Sequence, residues 1–113
     1  MIDRHLLVAT IVKTFPAVQS DIRTQEWGGL WHLEVSSFAR YTQQQIDSGN
    51  RAELQRCFEL ARQFILEGDE SVKNAMGVSY LEHLDLRDQK RERSWALGVM
   101  PDVVRREYEA ITS

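Results

Sequence analysis

Apolar residues recur along this chain at spacings of three and four, and the breaks between the runs are few. Two prolines and six glycines in 113 residues leave long uninterrupted segments that read as helices. Ile2 to Thr14 places Ile2, Leu6, Leu7, Ala9, Thr10 and Val12 around a mostly apolar first helix. Asp3 gives that helix an acidic start suited to the positive end of the helix dipole. Pro16 disfavours helical angles at Phe15 and predicts a stop there. Because proline is well tolerated in a first turn, Pro16 is expected to open a short second helix to about Thr24. Gly28-Gly29 is the strongest breaker in the chain.

From Leu30 to Ser48 the helical pattern resumes, with Leu30, Leu33, Ser37 and Tyr41 on one row and Trp31, Val35, Phe38, Thr42 and Ile46 on adjacent rows. Ser48-Gly49-Asn50 reads as a turn, and Asn50 as an N-cap with Glu53 three residues on. Leu54, Cys57, Phe58, Ala61, Phe64 and Ile65 form the apolar face of a helix expected to end at Gly68, a C-terminal glycine. Asp69 is expected to cap the next helix, which carries Val72, Ala75, Met76, Ser79 and Tyr80 and runs to about Leu84. Asp85 to Lys90 is polar and reads as a loop. Arg91 to Met100 is a further helical stretch with Trp95 and Val99 on one face, and Pro101 opens a last helix bearing Val103, Val104, Tyr108 and Ile111. Strand-like alternation and Asn-Gly or Asp-Gly hairpin signals are absent. The expected fold is all-α: one domain over residues 1–113 with about six helices, as an antiparallel bundle or a short helical-repeat-like array. No repeated sequence period supports a true solenoid.

Composition narrows the functional classes. A hydrophobic fraction of 42% and a charged fraction of 27% are those of a globular domain. The apolar stretch Leu6 to Val12 is far shorter than the ~20 residues that span a bilayer. Flanked by Asp3, Arg4 and Lys13, with no small-residue cleavage site, it is not expected to be a signal peptide, so a cytoplasmic location without membrane association is expected. A net charge of -3 argues against a nucleic-acid partner. Arg87, Lys90, Arg91 and Arg93 do cluster, but Asp85, Asp88 and Glu92 interrupt them, which reads as a solvated, self-compensating face.

Candidate chemistry is sparse. His5, His32 and His83 lack the same-face spacing of a helical metal pair, and neither His32 with Glu34 nor Glu82 with His83 shares a helix face. The single cysteine excludes an intramolecular disulfide. Cys57 lies on an apolar row, with Arg56 pointing elsewhere, and reads as a small core residue, not a nucleophile. Phosphate-binding loops and nucleophile elbows are missing. The protein is therefore expected not to be an enzyme and to use no cofactor or metal; a site built from His32, His83 and Glu82 is the weakest of the functional readings. Trp27 and Trp31 flank Gly28-Gly29, where one indole is a candidate interface anchor even if packing over the first helix is the simpler role.

Val78 to Leu84 reads Val-Ser-Tyr-Leu-Glu-His-Leu, followed by Ser94-Trp95-Ala96 and Met100-Pro101. This resembles an uncharacterised family of small bacterial helical proteins with a Ser-aromatic-Leu-Glu-His-Leu run, a later Trp and a Met-Pro. The likeness extends loosely to the Phe15-Pro16 break and the Gly68-Asp69-Glu70 boundary. Proteins that resemble it have the size and acidity of immunity proteins encoded beside polymorphic bacterial toxins. The resemblance thus implies a protein that neutralises a cognate toxin by stoichiometric binding, with its acidity steering it to a basic toxin surface. A cytoplasmic adaptor or scaffold subunit, as a homodimer through an apolar face, is the alternative. The expected partner-binding positions are Glu26, Asp69, Glu70, Asp85 and Asp88, with Trp27 and Trp31 as anchors.

Overall fold

Asp3 starts the first helix by accepting a hydrogen bond from the Leu6 amide at 2.9 Å, and Phe15 ends it just before Pro16. The computed structural model describes residues 1–18, 31–84, 86 and 94–112. Over these residues the chain forms α1 (Arg4–Thr14), α2 (Trp31–Ser48), α3 (Arg51–Glu67), α4 (Glu70–Ala75) and α5 (Asp102–Thr112). A π-helical turn (Met76–Tyr80) and two 3-10 turns (Leu81–His83 and Ser94–Gly98) complete it. The all-α expectation holds, and residues 16–18 are helical as Pro16 predicts. The rest of that short helix, the Gly28-Gly29 break and the polar stretch before Ser94 fall outside the described residues, except Leu86, which is buried.

Local chemistry accounts for the corners. Asn50 Oδ1 accepts from the Glu53 amide at 3.2 Å at the start of α3. Gly49 before it has φ +72°, the left-handed region that suits glycine. Gly68 ends α3 as expected, but for another reason. Its φ of -72° is ordinary for any residue, so it is not a left-handed cap. It is glycine because a Cβ there would overlap the Phe64 carbonyl and the Val72 side chain, whose own Cβ would lie 2.8 Å away.

Two expectations need correction. Ile2 is not helical. It lies extended and buried against the α3–α4 corner, in an isolated parallel β-bridge with Gly68. The Ile2 amide donates to the Glu67 carbonyl at 2.8 Å and the Asp69 amide donates to the Ile2 carbonyl at 2.9 Å. An apolar side chain with a pocket to fill and two free backbone groups wins over one more residue of helix. The helix after Asp69 also does not run on as a regular α-helix to Leu84. The Leu81 amide reaches back to both the Met76 and Gly77 carbonyls, which opens the turn to π geometry before a 3-10 turn closes it. The consecutive residues Ser79, Tyr80 and Leu81 are all buried there, which a narrow α-helical stripe does not achieve.

The core is built around a stack of rings. Phe38 on α2 packs parallel to Tyr80 at 4.6 Å and to Phe15 at 5.6 Å, and meets the edge of Phe64 at 6.5 Å. The Arg56 guanidinium lies 5.1 Å above Phe15 and caps the outer end. α3 packs on α2, α4 and α5, α1 packs on α2, and the π turn leans on α2. A radius of gyration of 13.2 Å matches the ~13 Å of one compact domain of this size. Among the described residues, no helix is long and apolar enough to cross a membrane.

Candidate functional site

α1 and α3 run antiparallel. Ile2, just ahead of α1, bonds to Glu67 at the end of α3, while Arg56 near the start of α3 donates to the Thr14 carbonyl at 3.2 Å. Between them lies a groove of about 280 Å3, lined by Thr10 and Thr14 of α1 and by Arg56, Glu59, Leu60 and Gln63 of α3. A second hollow of about 430 Å3 continues along α3 past Arg62, Leu66 and Glu67, sharing Glu59 and Gln63 with the first.

Arg56 fixes one end. It pairs with Glu53 at 2.7 Å, bonds to α1 and covers Phe15, so its long side chain is held on three sides. Two leucines also face solvent, Leu66 in the second hollow and Leu6 on α1. Leu6 and Leu66 are each 51% exposed, a large apolar surface for side chains that elsewhere in α1 and α3 are packed away. The cause on α1 is compositional. Apolar residues occur on every side of it, yet only Leu7 and Ile11 are fully buried. On α3, Leu66 falls off the stripe formed by Leu54, Phe58, Ala61 and Ile65.

The residues singled out by sequence do not gather at one place. Asp69 is the N-cap of α4: its Oδ1 accepts from the Val72 amide at 2.9 Å, and its backbone holds Ile2 and Lys73. Glu70 is exposed in the first turn of α4, where a carboxylate suits the helix dipole. Trp31 is the first residue of α2. Glu26, Trp27, Asp85 and Asp88 lie outside the described residues. His5, Glu82 and His83 are exposed. In the Ser79 to Leu84 run, Ser79, Tyr80, Leu81 and Leu84 are buried and only Glu82 and His83 face out, so four of its six residues serve packing. Among the described residues no three His, Cys, Asp or Glu side chains converge as a metal site would require. The groove residues Arg56, Gln63 and Leu66, and the exposed Leu6, went unpredicted. Leu66, apolar on a polar row, and α1, apolar with no preferred side, were the readable signals.

Cys57 sits in the interior beside a buried polar pair. Thr42 donates to the Phe38 carbonyl at 3.0 Å, and with that proton committed the Tyr80 hydroxyl donates to Thr42 at 2.8 Å. Burial pushes the Cys57 thiol from its ordinary 9.0 up to about 12, with Glu53 adding to the rise and Arg56 opposing it. Burial likewise raises the Tyr80 hydroxyl well above its usual 10.0. The native protein is therefore expected to label slowly with a thiol reagent at neutral pH and quickly once unfolded by urea. The folded thiol keeps its proton where the unfolded one loses it, so folding stability declines as pH rises from 9 towards 12. Urea midpoints at pH 7, 9 and 10.5 would check this, and fast labelling of the native chain would contradict the burial.

No curated protein and no solved structure matches the chain. A family model does match residues 8–113, from within α1 to the end of the sequence. The chain belongs to the family described as a domain of unknown function, DUF7674.

Proposed function

We propose that this protein is a non-enzymatic binding protein whose partner is another protein, and that the partner is a bacterial toxin that it neutralises stoichiometrically. One observation carries the binding role: α1 has apolar residues on every side but fully buries only Leu7 and Ile11, leaving Leu6 half exposed, and Leu66 on α3 is equally exposed in the hollow it lines with Glu59, Arg62, Gln63 and Glu67. Exposed apolar residues rimmed by polar ones are the ordinary mark of a protein interface. The inert setting of Cys57 and the capping role of Asp69 favour binding over catalysis. The toxin as partner rests on the resemblance around Ser79 to Leu84 and on the acidity of the chain.

Co-expression with the product of the neighbouring gene, followed by pull-down and growth rescue, tests the reading. The expected result is a neighbour that is toxic alone, a one-to-one complex and restored growth. A harmless neighbour with no complex ends the immunity reading and puts an adaptor subunit in its place.

A further inference from the structure

We infer that residues 1–3 are a strap that opens and closes over the α3–α4 corner as a unit of its own, while α1 and the core stay in place. The corner offers what one extended aliphatic residue needs. The Glu67 carbonyl accepts from the Ile2 amide at 2.8 Å, the Asp69 amide donates to the Ile2 carbonyl at 2.9 Å, and the Ile2 side chain is 7% exposed. The hold is narrow. Met1 is 95% exposed and Asp3 is exposed, so the bridge to Gly68 rests on a single residue. Two hydrogen bonds and one buried side chain gain only a little more than it costs to fix so short a segment.

The elements on either side have holds of their own. α1 is capped by the Asp3 carboxylate at the Leu6 amide and anchored by Leu7 and Ile11, both fully buried, with Arg56 bonded to the Thr14 carbonyl at its far end. The Gly68 amide closes α3 on the Phe64 carbonyl. α4 is capped by Asp69 Oδ1 at the Val72 amide, and its Lys73 amide donates to the Asp69 carbonyl. The hinge therefore falls between Ile2 and Asp3, where turning the backbone lifts the strap and breaks none of these contacts. Lifting it uncovers the Glu67 carbonyl, the Asp69 amide and the pocket that Ile2 fills. That is a site for one extended aliphatic residue, and the strap is the chain's own occupant of it. The family match, residues 8–113, takes in the corner and leaves the strap out.

Native-state hydrogen exchange of the full chain, in urea rising to just below the unfolding transition, is the test. The Ile2 and Asp69 amides are expected to share one protection factor of about 10–100 that urea leaves unchanged, because lifting three residues exposes little surface. The Ala61 amide inside α3 should be protected far more strongly and lose protection steeply with urea, as global unfolding requires. Ile2→Ala should reduce protection at Asp69 at least about fivefold, and Ile2→Val by less, with Ala61 still protected in both. Exchange of Ile2 and Asp69 at the Ala61 rate, with the same urea dependence, overturns the inference, because the strap then opens only with the whole molecule. So does protection that differs between Ile2 and Asp69, no protection at either, or an Asp69 amide indifferent to Ile2→Ala. Should a variant fail to fold, the urea series on the unaltered chain still decides.

Discussion

Phe38→Ala is expected to remove most of the stability of this protein. The ring is fully buried and touches Phe15, Phe64 and Tyr80, so truncation leaves three aromatic side chains facing a void. Buried Phe→Ala changes cost about 3–5 kcal/mol because lost transfer energy and an unfilled cavity add. Whole domains are stable by only about 5–15 kcal/mol. At about 4–8 °C per kcal/mol for a domain near this size, the melting temperature should fall by at least ~12 °C. Calorimetry would read this directly, with Leu66→Ala as the exposed comparison expected to change stability by about 0.5 kcal/mol or less. A Phe38→Ala protein that melts within a few degrees of the parent would mean that the ring stack is not the centre of the core.

Gly68→Ala should be the next most damaging single change. A methyl group there meets the Phe64 carbonyl, which is backbone, and the buried Val72 side chain, which has no room to swing away. Relief requires the α3–α4 corner to open, and that corner also holds Ile2 through two backbone hydrogen bonds. Overpacking of this kind costs about 1–3 kcal/mol, and more when the obstacle is main chain. The readout is the urea midpoint together with hydrogen exchange at the Asp69 amide, which donates to Ile2 and should lose protection first. Gly49→Ala gives the contrast. Nothing crowds that position, so its cost comes only from the left-handed φ and should leave the Asp69 amide protected.

The helices were readable because their signals are local. Asn50 with Glu53, Asp69 before Val72 and Phe15 before Pro16 each act within four residues, and each does in the structure what its spacing implies. The role of Ile2 was not readable, since its partner Gly68 lies on the far side of the sequence and nothing near Ile2 announces it. The π turn escaped for a related reason. Val72, Ala75, Met76, Ser79 and Tyr80 fit an α-helical stripe, and only the neighbours on α2, chiefly Phe38 and Thr42, reveal why the helix widens. Sequence reasoning about the site looked for charge and tryptophan. Groove walls come instead from the way two helices splay, a tertiary property that no single residue encodes. Leu66 was visible as an apolar residue out of place, but the hollow it lines with Glu59, Arg62, Gln63 and Glu67 was not.

The bond between Ile2 and Gly68 joins parts of the chain made far apart in time. Ribosomes add about 5–20 residues per second, so several seconds pass between the appearance of Ile2 and that of the corner it binds. For the first part of that interval α1, with apolar residues on every side, lacks α2 to pack on, and until its end it lacks the α3–α4 corner. Contacts of such long sequence separation are expected to form after the folding transition state, so Ile2→Ala should raise the unfolding rate more than it lowers the folding rate, which urea-jump kinetics would read.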